Sequence, residues 1–311
     1  MRSVIVSGVT GHLGSELARQ LIAAGTAVHG LSRSDDSIQP RTRGMHLHRI
    51  DGSTTGLIQI LERARPDVAI HLAGRARRAH DPGDISPFID ANIHFGTQFL
   101  EAAHRSDCSH FITAGTYLQH FGGDQGGSMN LYAATKEAFE TLIQYYVDAF
   151  GLSAVRLTLC DIYSEGDTRR KLMTDIADAC ANNAPLRLVN ADARLDLVHV
   201  EDVARSFIQV ATLLQVGEIE PQQLLRYSVT SGYDVTVAEL IAAFERVSGS
   251  RLTIHLQEAS RLPRDMGPWR GTPVPGWSPQ ISLEEGIARM LAARGCPPCP
   301  TRPADEGRSG F

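Results

Sequence analysis

Apolar and polar positions along the first half of the chain fall into two alternating rhythms. Val4-Ile5-Val6-Ser7 is a β-branched run of the length of a buried strand. After a glycine-punctuated turn, Ser15 to Ile22 repeats its apolar residues at helical spacing. Ala27 to Leu31 predicts a second strand, and Asp67-Val68-Ala69-Ile70-His71-Leu72-Ala73-Gly74 another. Phe88 to Ala103 has helical periodicity, His110 to Gly115 reads as a strand, Leu131 to Glu140 as a helix, and Ser153 to Leu157 as a strand. Strand and helix in alternation predict a parallel sheet covered by helices on both faces.

Beyond about residue 160 the rhythm breaks. Ser164-Glu165-Gly166-Asp167 predicts a loop and Leu172 to Ala181 a helix. Arg187-Leu188-Val189 and Leu197-Val198-His199-Val200 predict strands, and Glu201 to Val216 a helix. Short helices and a Pro-rich run near Arg261 to Pro279 complete this half, and no internal repeat is present. The expected organisation is a cofactor domain over 1–160 with a returning segment near 195–212. A smaller substrate-binding lobe over 161–194 and 213–294 follows, and the Pro/Gly-rich stretch 295–311 is expected to be a disordered tail.

Composition narrows the function classes. At 42% hydrophobic and 21% charged residues, 311 residues can bury a sizeable core. A formal charge of −5 argues against a general nucleic-acid binder. The five cysteines are scattered and odd in number, which predicts no disulfide framework. Cys296-Pro297-Pro298-Cys299 has metal spacing but no second pair, so no metal site is expected. With no signal peptide or apolar span visible, the expectation is a cytoplasmic protein with no membrane partner.

Two local patterns carry chemistry. Gly8-x-x-Gly11-x-x-Gly14 lies between a predicted strand and a predicted helix, the context of a dinucleotide fingerprint. Gly8 allows the tight turn, Gly11 lets backbone approach a pyrophosphate, and Gly14 permits close helix–strand packing. The fold expected is therefore a Rossmann, doubly wound α/β sheet. Of the 30 lysines and arginines only Lys136 and Lys171 are lysine, and Lys136 lies four residues after Tyr132. On a helix that spacing puts phenol and ammonium on one face. The ammonium is expected to lower the phenol's pKa and to suit it to proton transfer. At the end of the second strand, Ser32 and Arg33 stand where an acid would meet a ribose 2′-hydroxyl. A hydroxyl and a guanidinium fork suit the extra phosphate of NADP(H) instead.

Taken in order, these segments resemble the extended short-chain dehydrogenase/reductase superfamily, specifically the NAD-dependent epimerase/dehydratase family acting on nucleotide sugars. The resemblance covers roughly residues 3 to 292. It rests on the glycine turn, Asp51-Gly52, His71-Leu72-Ala73-Gly74, Asn92-x-x-x-Gly96-Thr97, Tyr132-x-x-x-Lys136, Arg194 to Ala204, and Gly276-Trp277-x-Pro279 with Ser282 to Gly286. Gly115 to Phe121, Asn130 to Lys136 and Asp161 to Leu172 are similar to a narrower group. That group is the CDP-abequose and CDP-paratose synthases, NADPH-dependent reductases of CDP-4-keto-6-deoxy-hexoses.

The resemblance implies roles residue by residue. Tyr132 would protonate the oxygen formed as a ketone is reduced, Lys136 would hold the nicotinamide ribose, and Asn92 would shape the proton relay. Thr116 would hydrogen-bond the same oxygen, although it stands one residue off the family's spacing, which leaves Thr113 and Tyr117 as rivals. Gly8, Gly11, His12, Leu13, Gly14, Ser32, Arg33, Asp51, Gly52, Leu72, Ala73 and Gly74 would line the cofactor, with Asp51 against adenine. Arg194 and Arg264 would meet the substrate diphosphate, with Arg169-Arg170-Lys171 as further cations. Tyr117-Leu118 replaces the acids that family dehydratases carry after Thr116, which disfavours dehydration. The missing acid after the second strand disfavours epimerisation without removing it. Intact Tyr132 and Lys136 disfavour a sensor or scaffold that only binds NADP(H). A homodimer through the Tyr132 helix is expected by analogy.

Overall fold

A computed structural model of the chain describes residues 1–33, 43–257 and 266–296. The first elements are β1 (Ser3–Ser7), α1 (His12–Ala23), β2 (Ala27–Ser32), β3 (His46–Arg49), α2 (Thr54–Ala64) and β4 (Val68–His71). The single helix expected over Phe88 to Ala103 is a composite. α3 (Ile85–Ile89), a π-helical turn at Asp90–His94 and α4 (Phe95–Arg105) follow one another without a break. Next come β5 (His110–Thr116), α5 (Leu131–Phe150), β6 (Ser153–Leu159), β7 (Asp161–Tyr163), α6 (Leu172–Asn182), β8 (Leu186–Leu188), β9 (Arg194–Leu195) and β10 (Leu197–His199). The described elements end with α7 (Val200–Gln215), β11 (Leu224–Val229), β12 (Val235–Thr236), α8 (Val237–Ser248), β13 (Ile254–Leu256) and α9 (Leu283–Ala292).

Seven strands form one parallel sheet in the order β11-β6-β5-β4-β1-β2-β3. The doubly wound Rossmann sheet expected from the sequence is what forms. Chain order reverses between β1 and β4, which makes the carboxyl ends of those two strands the crevice where such sheets bind ligands. The two edge strands were not among the predicted ones. β3 reads His-Leu-His-Arg, and β11 carries Arg226 at its centre, so neither shows the apolar run of a strand covered on both faces.

The unbroken apolar run Val4-Ile5-Val6 inside β1 follows from its central place. Val4 and Val6 join the core made with Leu17 and Leu21 of α1 and Phe207 and Val210 of α7. Ile5 points the other way, into a core with Leu57 and Leu61 of α2, Phe99 of α4, and Phe139 and Ile143 of α5. Burying each such side chain stabilises by about 1.5–3 kcal/mol.

The chain divides into two compact units. The first comprises Met1–Ile162, Asp196–Tyr233 and Pro263–Pro279, and holds the sheet. The second comprises Tyr163–Leu195, Asp234–Leu262 and Gln280–Phe311. Its helices α6, α8 and α9 pack on one another and bury Met173, Ile176, Leu240, Phe244, Ile287 and Met290. Among the described residues no helix is long and apolar enough to cross a membrane.

Candidate functional site

The turn after β1 can be built only from glycine at two of its three marked positions. Gly8 has φ +72°, and a Cβ there would lie 2.6 Å from the Ala73 amide nitrogen and 2.8 Å from the Leu72 carbonyl carbon. A Cβ on Gly14 would run into the Gly8 carbonyl and come within 2.8 Å of Val9 Cα. Gly11 precedes α1 and donates its N–H to the Gly8 carbonyl at 3.0 Å. His12 and Leu13, the first helical residues, are half-buried behind it. The α1 N-terminus therefore has backbone and no capping side chain at its mouth, the form that accepts an anion.

The Leu72–Gly74 segment closes the other side of this turn. Ser7 Oγ lies 2.8 Å from His71 Nδ1 and accepts from the Ala73 N–H at 3.4 Å, tying the ends of β1 and β4 together. His71 is fully buried, with Phe139 5.2 Å from its ring. Burial, then the nearby Lys136 charge, hold its pKa well below the usual value, so the imidazole stays neutral.

At the end of β2, Ser32 is buried and Arg33 exposed. The Ser32 carbonyl accepts from Ile50 N–H at 2.9 Å, and the register sets Arg49 of β3 beside Ser32. Arg49 escaped the sequence reading because its strand did. Asp51 Oδ1 accepts from both the N–H and the hydroxyl of Ser53 at 2.8 Å, which lowers the carboxyl pKa. Gly52 turns the chain with φ +86°, and Ser53 then caps α2 by accepting from Gly56 N–H at 2.9 Å.

Tyr132 and Lys136 occupy the first turns of α5, whose N-cap Asn130 accepts from Ala133 N–H at 2.9 Å. Among the three candidate hydroxyls, Thr116 is the one that acts on the Tyr132 phenol, favouring its charged form against burial. Thr113 donates to the His71 carbonyl at 3.4 Å, and Tyr117 to Asp161 Oδ2 at 3.4 Å. Burial pushes the Tyr132 phenol up to about 12, with the Thr116 hydroxyl opposing it. Burial brings Lys136 down to about 8. The expected lowering of the Tyr132 pKa by Lys136 is thus corrected. Both groups sit out of water, and desolvation favours the neutral form of each. The ammonium lies towards Gly74, where a Cβ would stand 3.5 Å from Lys136 Nζ and 3.0 Å from Asn92 Oδ1.

Asn92 lies in the π-helical turn, a deformation frequent at functional sites. Its Oδ1 accepts from Arg75 N–H at 2.7 Å, and its Nδ2 donates to the Arg75 carbonyl at 3.0 Å and Thr135 Oγ1 at 2.8 Å. The amide thereby fastens the segment after Gly74 to the helix that carries Tyr132. Arg75 and Arg77 add a second fastening on the Asp84 carboxylate, at 2.9 and 2.5 Å. No spacing in the sequence signals that clamp.

Of the predicted substrate cations, Arg194 and Arg169-Arg170-Lys171 are described and belong to the second unit. Arg194 is 60% exposed and 3.9 Å from Asp234. Arg264 lies outside the described residues, as do Cys299 and 297–311 of the expected tail. Arg169 bonds both oxygens of Asp167 at 2.7 Å, and Arg170 is 94% exposed. Among the described residues no cluster could hold a metal ion.

A family model described as the NAD dependent epimerase/dehydratase family matches residues 4–220. The chain is 23% identical over 252 residues to a CDP-abequose synthase of Yersinia pseudotuberculosis, covering 81% of this chain and 86% of that protein. It is 25% identical to a UDP-glucose 4-epimerase of Mycolicibacterium smegmatis, covering 92% and 96%. The crystal structure of UDP-glucose 4-epimerase from Brucella ovis in complex with NAD superposes with a TM-score of 0.84 at 19% identity, covering 96% of this chain and 100% of that one.

Proposed function

The chain belongs to the NAD dependent epimerase/dehydratase family, and from that premise we propose an NADPH-dependent reductase of a keto group on a nucleotide-activated, 4-keto-6-deoxy sugar. The observation that carries this reading is the Thr116–Tyr132 hydroxyl pair. A phenol pushed up to about 12 keeps its proton at neutral pH and can deliver it to an oxygen that is gaining negative charge. The CDP-abequose synthase relative supports the sugar class, since its name joins it to a CDP-linked sugar.

The cradle at Gly8, Gly11 and Gly14 suits a dinucleotide, because Gly8 and Gly14 let the turn close against Ala73 and Val9 and Gly11 leaves bare backbone at the α1 N-terminus. Bound there, the nicotinamide would supply the hydride. Ser32 and Arg33, with Arg49 beside them, would take the 2′-phosphate, and Asp51 would meet adenine through its other oxygen. Lys136 would hold the nicotinamide ribose, and Thr116 would steady the substrate oxygen while Tyr132 gave up its proton to it. Asn92 keeps the Gly74–Arg75 backbone in place against α5. Arg194 and Arg264 would meet the diphosphate. A homodimer built on α5 belongs to the same reading, with Tyr145 and Phe150 of that helix 56% and 44% exposed.

The test is NADPH consumption with a CDP-4-keto-6-deoxy-hexose. Tyr132→Phe should lower turnover roughly 10²- to 10⁴-fold while NADPH still binds. Equal turnover in the variant would remove Tyr132 from the mechanism. Epimerisation is the second reading, favoured by the UDP-glucose 4-epimerase relative. It would show as interconversion of a UDP-sugar without net NADPH loss. Binding of NADPH with neither outcome would leave a sensor.

A further inference from the structure

We propose that Gln119 is a positioning residue for the Thr116–Tyr132 pair, its side-chain amide bracing the strand end that carries Thr116 against the helix that carries Tyr132. The inference rests on reading that pair as the proton-delivering site. Thr116 ends β5, and Gln119 lies three residues on, in the short 3₁₀ turn Tyr117–His120. Gln119 Oε1 accepts from the Thr116 N–H at 2.9 Å. Its Nε2 donates to Glu137 Oε2 at 2.7 Å and points at Glu140 Oε2 at 3.4 Å. The amide is 5% exposed, so these bonds face little competition from water.

The far end of the brace is itself held. Tyr132, Lys136 and Glu140 are spaced four apart and share one face of α5. Glu140 is buried between two guanidinium groups, Arg156 of β6 and Arg226 of β11. Arg156 also lies 3.2 Å from His120 Nε2, at the end of the same turn. Gly115, just before Thr116, leaves room for this arrangement, since a Cβ there would stand 2.8 Å from Arg156 Cδ and 3.0 Å from Gln119 Oε1. Without Gln119 the Thr116 backbone N–H loses its acceptor, and the turn after β5 loses its amide link to α5 at Glu137.

Gln119→Met keeps the side-chain length and removes its bonds to Thr116, Glu137 and Glu140. The decisive readout needs no substrate: the ¹³Cζ resonance of Tyr132 in tyrosine-labelled protein at neutral pH, assigned by its loss in Tyr132→Phe. Thr116→Val marks where the signal falls once the Thr116 bond is gone. In Gln119→Met the signal should move towards that position, and Gln119→Met should add no further movement to Thr116→Val. A signal that stays at its wild-type position overturns the proposal. With the keto sugar, kcat should fall roughly 10- to 100-fold, as for a small misplacement of a reacting group, with KM nearly unchanged. In the Thr116→Val background the same substitution should cost almost nothing, and losses that multiply would also overturn the proposal. A wild type that consumes no NADPH would defeat the functional reading alone, because the resonance still decides the role of Gln119. Should Gln119→Met not fold, Glu137→Ala serves in its place. Glu137 is 56% exposed, and its loss removes the shorter anchor. It must move the same signal in the same direction, and no movement there overturns the proposal.

Discussion

Replacing Lys136 by methionine should make the fold more stable while abolishing turnover. Lys136 is buried and its pKa falls from the ordinary 10.5 to about 8, with burial as the cause. A difference of roughly 2.5 units corresponds to about 3 kcal/mol at 1.36 kcal/mol per unit. Below about pH 8 the lysine is charged in both folded and unfolded chains, so the whole cost of burying the charge is present at pH 7. Between about 8 and 10.5 the folded state binds fewer protons than the unfolded one, and stability rises with pH as the cost is relieved. Methionine has a similar length, fills the same space and carries no charge. The variant should therefore exceed the wild type by up to about 3 kcal/mol at pH 7, with the gap closing as pH rises towards 10. Urea unfolding of both proteins at pH 7, 8, 9 and 10, without cofactor, measures this difference directly. His71 titrates well below that range and does not blur it. A variant less stable than the wild type at pH 7, or a gap that stays flat from pH 7 to 10, would refute the reasoning. It would mean that Lys136 is well solvated or that its packing outweighs its charge.

Two further outcomes test the cofactor end. Arg33→Ala should weaken NADPH binding roughly tenfold and leave NADH unchanged, a loss that Arg49→Ala should deepen, since an exposed charged hydrogen bond to phosphate contributes about 1.5 kcal/mol. Equal losses for both cofactors by fluorescence titration would sink the NADP(H) assignment. Gly14→Ala should destabilise by about 1–3 kcal/mol, because its methyl group meets the Gly8 carbonyl and Val9 Cα where neither can give way. Dinucleotide binding should fall with it, and a thermal melt and binding constant equal to the wild type would show that the turn can open.

The amino-acid sequence alone determined the features that are local. Strand, glycine turn and helix from Val4 to Ile22 are contiguous, and the spacing of Gly8, Gly11 and Gly14 encodes its own geometry, so both were legible without the fold. The four-residue step from Tyr132 to Lys136 was legible for the same reason, because a helix puts such a pair on one face. Tertiary structure decided whatever depends on neighbours far along the chain. Edge strands β3 and β11 are covered on fewer sides than β1, so their sequences lack the continuous apolar run that marks a central strand. Thr113, Thr116 and Tyr117 are indistinguishable as nearby hydroxyls until α5 is packed beside β5, and then Thr116 is the one of the three that influences the Tyr132 phenol, while Thr113 and Tyr117 bond elsewhere. Gln119 stands at the local capping spacing Thr116-x-x-Gln119, but its other partners, Glu137 and Glu140, come within reach only across that packing. The sign of the Tyr132 shift was beyond the sequence for a related reason. Residue types show that a phenol and an ammonium share a helix face, but how much water each loses is settled by the surrounding fold, and here burial is the largest cause of both shifts.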